Sequence, residues 1–439
     1  MEGLVMAAQL MLGLSILVGV HEAGHLLAAK AFGMRVEKFS IGFPPKIWGF
    51  TYGETEYSIG AIPLGGFVKI TGMIDESLDT KDLTEEPQPW EFRAKPAWQR
   101  LIVMMGGILV NVVTGILIFI VLNYYNGESY LKKADLNVHG IVAYELGQEI
   151  GFQDGDKVIK VNGQDYETFS DLVDTEVLFN KSSYYTVQRE NETVDIRFPD
   201  GFLDKISDKK KYDGKFIGIR QPFKVDQVIA GSAASDGGLE EGDQFLTANG
   251  QNAFYFHDFQ RILKEYSGQE INTQVLRGSE NIDLSFTVEE NGTLGFRRTN
   301  ELNWSHKDYT FGESVNKGSG DAFKIVWTTI QGFGKIFRGE VSASNSIAGP
   351  VGIAQMFGGT WDWLKFWSMT GLLSMVLAFM NFLPIPALDG GHVVFLTYEM
   401  VSGQKPSDKF LENAQKVGMV MLLGIMGFAI FNDIYKVLF

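Results

Sequence analysis

Residues 3–25 read GLVMAAQLMLGLSILVGVHEAGH, an apolar run that ends in three ionisable side chains, His21, Glu22 and His25. The run itself carries no charge, and a helix that spans a bilayer needs about 20 predominantly apolar residues. A charged side chain inside a membrane helix costs roughly 2.5–3.5 kcal/mol on insertion scales, so such residues occur mainly where they face a cavity or one another. The stretch therefore predicts a membrane helix with a polar site at its end. A cleaved signal peptide is the alternative, but the residues before the run include Glu2 and neither Lys nor Arg.

Three further apolar stretches extend this prediction to a multi-pass α-helical membrane protein with about four transmembrane helices. Residues 101–123 and 366–388 each contain 23 residues without a charge, and the last stretch is shorter, with 16 uncharged residues between Lys416 and Asp433. The four predicted segments are 1–30, 100–124, 362–392 and 413–436. We interpret four residues of the second segment as residues that permit close packing and hold helices together, namely Gly106, Gly107, Gly115 and Asn111.

The composition of the 439 residues separates this membrane part from a polar middle block. Hydrophobic residues make up 45% and charged residues 21% of the chain, and the net charge is −15. Residues 125–320 contain 21 Lys and Arg against 33 Asp and Glu, a balance of −12, so most of the acidity lies there. The sequence has no basic block, which excludes nucleic-acid binding through a basic face. It has no cysteine, which excludes disulfide bonds and Cys-ligated metal.

The basic residues outside the middle block predict the orientation of the chain. Segment 30–100 contains nine Lys and Arg and segment 389–416 contains three more, whereas the two short tails contain only Lys436. The positive-inside rule places both segments in the cytoplasm. The long block 125–360 is then expected on the outer side of the membrane.

Two stretches of the middle block repeat each other. GFQDGDKVIKVNGQ at 151–164 and GLEEGDQFLTANGQ at 238–251 are identical at six of 14 positions. Gly-Asp and Asn-Gly favour tight turns on either side of a strand, so the repeat indicates two small β-rich domains that resemble bacterial PDZ domains. We place them at 128–207 and 214–300. Each is expected either to capture an extended peptide, such as a C-terminus, by strand addition or to serve as a spacer without a ligand.

The segment His21-Glu22-Ala23-Gly24-His25 has the spacing of a metal site. On a helix, residues i and i+4 lie on one face, so His21 and His25 can both reach one metal ion. Glu22 lies about 100° around the helix, near enough to take a proton from a water at the metal, as in H-E-x-x-H zinc proteases. A pair of histidines packed at a helix end without metal is the alternative.

A catalytic zinc site needs a third protein ligand and an open position. Asp389 is the candidate, in the stretch NFLPIPALDGGH at 381–392, and His392 is a rival. Pro384 and Pro386 break the helix, and irregular backbone at membrane depth is tolerated only where it lines a cavity. Alone, the two prolines indicate an ordinary helix end. Together with the histidine pair, they predict the second half of a metal site.

The two motifs together resemble the site-2 protease family of intramembrane zinc proteases, which pairs HExxH in its first membrane segment with N-x-x-P-x-P-x-L-D-G in a later one. The order of membrane segment, two PDZ-like domains and membrane segment is similar to the regulator-of-sigma-E protease branch of that family. Further similar stretches are RVEKFSIGF at 35–43, IPLGGFVKITGM at 62–73, FRAKPAWQR at 92–100 and AGPVGIAQ at 348–355.

The resemblance implies a zinc ion held by His21, His25 and Asp389. It implies Glu22 as the catalytic base, which would take a proton from the attacking water and return it to the leaving amine. It also implies that Asn381 holds the substrate or the developing oxyanion.

The resemblance further implies a membrane-dipping β-hairpin within 31–99, where an amphipathic segment is also expected. This hairpin would pair with unwound substrate through Gly65, Gly66 and Phe67, and strand addition is a physical reason for its alternating pattern. The connector at 301–361 contains the stretch 321–338, whose apolar spacing predicts a helix. That helix either lies on the outer membrane surface or is a plain connector.

The function implied is intramembrane proteolysis in a bacterial inner membrane, with the PDZ-like domains outside the cytoplasm and the active site near the cytoplasmic face. The expected substrates are single-pass membrane proteins, either anti-sigma factors or remnant signal peptides, and the PDZ pair would act as a size filter. A catalytically inert, membrane-anchored PDZ scaffold is the alternative, and a metal-dependent transporter or sensor is a third. The presence of Glu22 argues against the scaffold.

Overall fold

The computed structural model describes residues 1–73 and 86–438 and divides the chain into two compact units. The membrane unit comprises Met1–Gly127 together with Asp308–Phe439, and the inserted unit is Glu128–Lys307. The inserted unit corresponds to most of the acidic middle block.

Helices dominate the membrane unit, and short strands and helices alternate in the inserted unit. The helices of the described residues are α1 (Glu2–Ala31), α2 (Ala97–Asn126), α3 (Lys133–His139), α4 (Glu145–Glu149), α5 (Phe169–Leu172), α6 (Thr175–Phe179), α7 (Phe202–Ser207), α8 (Lys209–Tyr212), α9 (Ala233–Asp236), α10 (Phe256–Glu265), α11 (Phe311–Phe337), α12 (Ala343–Ser346), α13 (Pro350–Phe357), α14 (Trp363–Phe382), α15 (Asp389–Ser402) and α16 (Asp408–Leu438), with a 3₁₀ turn at Phe92–Ala94. The strands are β1 (Val36–Tyr52), β2 (Thr55–Ile70), β3 (Glu128–Tyr130), β4 (Ile141–Ala143), β5 (Lys157–Val161), β6 (Tyr184–Arg189), β7 (Glu192–Arg197), β8 (Ile217–Ile219), β9 (Val225–Val228), β10 (Gln244–Ala248), β11 (Gln251–Asn252), β12 (Glu270–Arg277), β13 (Glu280–Thr287), β14 (Phe296–Arg298) and β15 (Ser305–Lys307).

Four helices among the described residues are long and apolar enough to cross a bilayer. They are α1, α2, α14 and the part Lys409–Lys436 of α16, which is the arrangement of a multi-pass membrane protein. Helix α14 ends at Phe382, inside the predicted segment 362–392 and just before Pro384, where the sequence predicted a helix break. Pro384 and Pro386 cannot continue a helix, so a short turn follows and α15 begins separately.

Helices α1 and α2 cross in direct backbone contact at two glycines. A Cβ on Gly24 would collide with the carbonyl group of Gly106, and a Cβ on Gly106 would lie 2.6 Å from the carbonyl oxygen of Gly24. Farther along α2, a Cβ on Gly115 would lie 2.6 Å from Sδ of Met375 in α14. Small residues permit such close packing between membrane helices, and the packing interpretation is confirmed for Gly106 and Gly115.

The chain between α1 and α2 contains a double hairpin, so the β-hairpin predicted within 31–99 is present. The two long strands bend, and Ser40 consequently pairs with both Ser58 and Phe67. Residues 74–85 of this segment lie outside the described residues. The strand segments lie side by side in the order 62–70, 36–43, 55–60 and 46–52.

Helix α11 begins ten residues before the predicted stretch 321–338 and ends at Phe337. Thr310 caps it, since its backbone N–H donates to the carboxylate of Glu313 at 2.9 Å and its Oγ1 accepts from the Glu313 N–H at 3.4 Å. This reciprocal pair satisfies two donors that a helix start otherwise leaves unpaired. The predicted helix is therefore confirmed, with an earlier start.

Helix α16 is fixed to the start of α13 by a buried carboxylate. Asp433 accepts hydrogen bonds from the backbone N–H groups of Gly349, Val351 and Gly352 at 3.0, 2.8 and 3.0 Å. The N–H groups of the first helical turn lack partners within the helix and favour a negative charge. This contact joins the last membrane helix to the segment that precedes α14.

The inserted unit has two hydrophobic cores, each rich in buried aromatic side chains. The first core is centred on Phe152, Tyr185 and Phe216, and the second on Phe223, Phe245 and Phe259. A three-stranded sheet, β5-β6-β7, lies on the first core, and a four-stranded sheet, β11-β10-β12-β13, lies on the second.

The repeated Gly-Asp turns carry equivalent ion pairs. Arg189 donates to both carboxylate oxygens of Asp156 at 2.8 Å, and Arg277 donates to those of Asp243 at 2.8 and 2.7 Å. Both aspartates are buried, and such bidentate pairs combine strength with fixed geometry. Each copy of the repeat thus has an arginine on a later strand, Arg189 on β6 and Arg277 on β12, that pairs with the aspartate of its turn.

The two modules do not divide where the repeat suggested. Strand β8 pairs with β4, and Phe216 lies in the first core, although the repeat assigned 214–300 to the second domain. Strand β15 pairs with β3, so the chain after residue 300 returns to the start of the inserted unit. The repeated turn motifs could not predict this, because they contain no information about which distant strands pair with each other.

Candidate metal centre

Helix α1 brings His21 and His25 together, as the i, i+4 spacing predicted. Their Nε2 atoms lie 3.2 Å apart, and the residues are only 8% and 6% exposed. Gly107 of α2 packs directly against the two imidazole rings, since a Cβ at this position would lie 2.5 Å from Nε2 of His25 and 2.6 Å from Cε1 of His21. Glycine at 107 therefore leaves room for the imidazoles, a role that the packing interpretation missed.

Asp389 reaches the histidines from the first position of α15. Its Oδ2 lies 3.1 Å from Nε2 of His21 and 3.4 Å from Nε2 of His25. The turn before it is tight, because a Cβ on Gly391 would lie 2.7 Å from the carbonyl oxygen of Ile385. This compact turn places the carboxylate opposite the histidine pair.

The backbone of this turn is strained next to the carboxylate. Ala387 has a φ of +77°, a conformation that residues with a Cβ rarely adopt. Such conformations cost of order 1–3 kcal/mol and cluster at active sites and ligand clamps. The strained backbone indicates that this turn has a functional role in addition to ending helix α14.

The three side chains have the geometry of a metal site. Their ligand atoms all lie within 4.8 Å of one another. The buried Oδ2 of Asp389 has no hydrogen-bond partner among the described residues, despite its two close nitrogens. Atoms about 2.0–2.2 Å from a tetrahedral zinc ion are about 3.3–3.6 Å apart, and the observed separations are 3.1, 3.2 and 3.4 Å. Two imidazoles and a carboxylate fit zinc and leave a fourth position open.

The outer nitrogens of both imidazoles also face protein groups. Nδ1 of His25 lies 2.8 Å from the carbonyl oxygen of Val103, and Nδ1 of His21 lies 3.1 Å from the side-chain amide of Asn111. Contacts of this kind orient metal-binding histidines and select their tautomer. Sequence reasoning did not find Val103, and it assigned Asn111 to contacts between helices but not to His21. Val103 contributes only its backbone, and Asn111 gave one signal, a polar side chain inside an uncharged membrane segment.

Glu22 lies between the histidine pair and the sheet edge 62–70. A Cβ on Gly66 would lie 2.7 Å from Cγ1 of Val18 and 3.3 Å from Cγ of Glu22, so the strand passes directly over this turn of α1. The side chain of Glu22 thus lies beside the metal ligands and next to a strand edge.

The structure brings two of the predicted substrate-binding residues, Asn381 and Gly66, to the centre. Nδ2 of Asn381, in the last turn of α14, lies 3.4 Å from Nε2 of His21. Gly65 lies against the ring of Phe43, and Nζ of Lys38 lies 5.6 Å from the centre of the Phe67 ring.

The rival ligand His392 lies outside the cluster. Its Nε2 is 3.0 Å from the side-chain amide nitrogen of Gln415 in α16. The turn geometry therefore brings the carboxylate of Asp389, and not this imidazole, to the histidine pair.

A buried ion pair fixes α15 to α2. Arg100 pairs with Glu399, and the two side chains are only 8% and 18% exposed. Helix α15 begins at Asp389, and α2 contains Gly107, which packs against the two histidines. This ion pair therefore holds the helix of the third ligand against the helix that contacts the other two. The residues are 299 positions apart, and nothing in either local sequence links them.

Comparison with known proteins finds similarity along nearly the whole chain. The model of peptidase family M50 matches residues 9–425. The regulator of sigma-E protease RseP of Salmonella typhimurium is 27% identical over 459 residues, which cover 97% of each chain. The regulator of sigma E protease of Haemophilus influenzae is 28% identical over 447 residues, again 97% of each chain. A protein of Pasteurella multocida, named as a candidate zinc metalloprotease, is 30% identical over 453 residues and 98% of each chain.

Proposed function

The chain belongs to peptidase family M50 and is a zinc metalloendopeptidase, and we propose that it hydrolyses a peptide bond within or near the transmembrane helix of single-pass membrane proteins. The observation that carries this proposal is the convergence of His21, His25 and Asp389 beside Glu22, at the end of a membrane helix. A metal centre in this position serves substrates that are themselves in the membrane.

His21, His25 and Asp389 are the proposed zinc ligands. Zinc, when bound, polarises a carbonyl group and makes water a better nucleophile at neutral pH. Glu22 is the proposed general base, which takes a proton from the attacking water and passes it to the leaving amine. Asn381 lies close enough to His21 for its amide to hold the scissile carbonyl oxygen as negative charge develops there.

The sheet edge 62–70 is the proposed binding surface for the substrate backbone. This segment is an outer strand of the sheet and passes beside Glu22 at Gly66. A substrate helix hides its carbonyl groups in its own hydrogen bonds, so it must unwind before hydrolysis. An extended substrate can pair with an exposed strand edge, with Gly65, Gly66 and Phe67 as the proposed contact residues.

The opposite part of the sheet supports the proposal that it dips into the membrane. Ile47, Trp48 and Tyr52 are 69%, 58% and 74% exposed. Exposed apolar side chains of this kind mark surfaces that contact a membrane or a partner. A membrane-embedded sheet would meet its substrate in the bilayer.

The inserted unit is proposed to contain two PDZ-like domains that act as a size filter and take peptide C-termini. A cavity of about 550 Å³ runs along β8, and its lining combines apolar side chains such as Phe169 and Leu178 with polar ones such as Gln260. Backbone along an open groove with apolar pockets is what strand addition requires. The boundary of the first domain is placed after β8, since Phe216 belongs to its core.

The proposed setting is a bacterial inner membrane, with the inserted unit on the outer side and the active site near the cytoplasmic face. The excess of basic residues in 30–100 and 389–416 supports this orientation. The proposed substrates are single-pass membrane proteins, either anti-sigma factors or remnant signal peptides. The name of the relative from Salmonella typhimurium, a regulator of sigma-E protease, supports the first of these two classes.

The test is cleavage of a single-pass reporter with a shortened outer domain by the full-length protein in lipid. We expect cleavage by the native protein, loss of cleavage with a zinc chelator, and loss in the Glu22→Gln variant with zinc still bound. Cleavage that survives Glu22→Gln would refute the proposed role of Glu22. Bound zinc without cleavage of any reporter, including a panel of signal peptides, would favour the inert scaffold.

A further inference from the structure

We propose that Asn111 positions His21 for zinc binding by accepting a hydrogen bond from the Nδ1–H of its imidazole. The inference rests on the proposed function, in which His21 is a zinc ligand. It assigns a role at the metal centre to a membrane-embedded amide whose sequence context indicated only contacts between helices.

Asn111 is held rigidly against the centre. Its side chain is fully buried, and its amide lies 3.1 Å from Nδ1 of His21. Its backbone carbonyl oxygen accepts a hydrogen bond from Oγ of Ser374 in α14 at 2.8 Å. Asn111 therefore lies where α1, α2 and α14 meet, and its side chain has little freedom to turn away.

The ligand role of His21 determines which of its nitrogens carries the proton. A neutral imidazole has one N–H and one lone pair. Nε2 is the atom that faces His25 and Asp389, so it must present its lone pair to the metal. Nδ1 must then carry the proton and needs an acceptor.

The amide of Asn111 can supply that acceptor in one of its two orientations. The atom facing Nδ1 is assigned as Nδ2, while the buried Oδ1 has no partner among the described residues. The oxygen and nitrogen of an amide have nearly the same size, and their assignment follows from the surrounding hydrogen bonds. Exchange of the two atoms places Oδ1 opposite Nδ1–H and leaves Nε2 free for zinc.

The second histidine shows the same arrangement without any ambiguity. Nδ1 of His25 lies 2.8 Å from the carbonyl oxygen of Val103, a group that can only accept. His25 is therefore protonated at Nδ1 and presents Nε2 to the centre. One ligand is thus oriented by the backbone of α2 and the other by a side chain of α2, and only the second can be changed by substitution.

The test compares two variants of Asn111 in the full-length protein reconstituted in lipid. Asn111→Leu removes the acceptor, whereas Asn111→Asp keeps an acceptor of similar size that cannot donate. Zinc affinity is measured by competition with a chelator. Loss of such outer contacts typically weakens metal binding by about 10–100-fold, which is the loss expected for Asn111→Leu. Asn111→Asp should bind zinc within a few-fold of native, and the control Ser374→Ala, which alters the same helix contact without touching His21, should be unchanged.

Native affinity in Asn111→Leu would overturn the proposal, and so would an Asn111→Asp variant as weak as Asn111→Leu. A His21→Ala variant separates this failure from that of the proposed function. If His21→Ala binds zinc like the native protein, the ligand assignment itself is wrong. If only His21→Ala is impaired, the ligand assignment stands and the role of Asn111 fails.

A second measurement does not depend on any Asn111 variant folding. In zinc-loaded native protein with ¹⁵N-labelled histidine, we expect the His21 ring to carry its proton on Nδ1. A proton on Nε2 of His21 would refute the proposal directly.

Discussion

Replacement of Gly66 by alanine should uncouple substrate positioning from zinc binding. A Cβ at this position would lie 2.6 Å from the carbonyl oxygen of Ser40 and 2.7 Å from Cγ1 of Val18. Carbon atoms in favourable contact are about 3.5–4.0 Å apart, so the strand must move away from α1 by about 0.8 Å or more. A displacement of about 1 Å at a reacting group can reduce the rate about 10²-fold, equivalent to about 2.7 kcal/mol in the barrier.

The assay is cleavage of the single-pass reporter, together with zinc content of the same preparations. We expect Gly66→Ala to lower kcat/KM by roughly 10²-fold with zinc content unchanged, because Gly66 faces Glu22 and Val18 and not the metal ligands. The matched control is Gly427→Ala in α16, where a Cβ would meet no described atom within 4 Å. Native kcat/KM in Gly66→Ala would refute the strand-edge account, and loss of zinc would show that the strand supports the ligands.

Three further predictions concern stability, pH and substrate. Arg277→Leu leaves the buried carboxylate of Asp243 without its ion-pair partner and should destabilise the inserted unit by about 3 kcal/mol. Hydrogen exchange measures this loss, and the control Arg297→Leu, at an exposed position, should have little effect. Equal effects of the two substitutions would contradict the prediction. Burial lowers the pKa of His257 and His139, so the unfolded chain binds protons more readily near pH 6.5. The inserted unit should therefore lose stability as pH falls from about 7 to about 5.5, and His257→Gln should flatten this slope; an unchanged slope would refute it. Reporters whose transmembrane helix contains glycine should be cleaved faster than those with a uniform leucine helix, and equal rates would contradict the need for unwinding.

Local sequence properties predicted the membrane helices and half of the metal centre. A charge-free run of sufficient length is visible in the sequence alone, and helical periodicity by itself places His21 and His25 on one face of a helix. The end of the helix before Pro384 was also predictable from the local sequence, because proline restricts its own backbone and that of the residue before it. The preference for Asp389 over His392 came from the resemblance to the site-2 protease family, because local sequence properties do not show how the turn before Asp389 folds.

The features that sequence reasoning missed are made by contacts between distant segments. Val103 contributes a carbonyl group, which every residue has, so its side chain gives no signal. Arg100 and Glu399 meet only because α2 and α15 pack together. Strand β8 pairs backward with β4, which moved the domain boundary away from the position that the Gly-Asp repeat suggested.

The most direct test of the central claim is zinc stoichiometry of the purified full-length protein and of its Asp389→Ala and His392→Ala variants. We predict one zinc per chain in the native protein and in His392→Ala, and severe loss of zinc in Asp389→Ala. Zinc retained in Asp389→Ala but lost in His392→Ala would contradict the assignment of Asp389 as the third ligand.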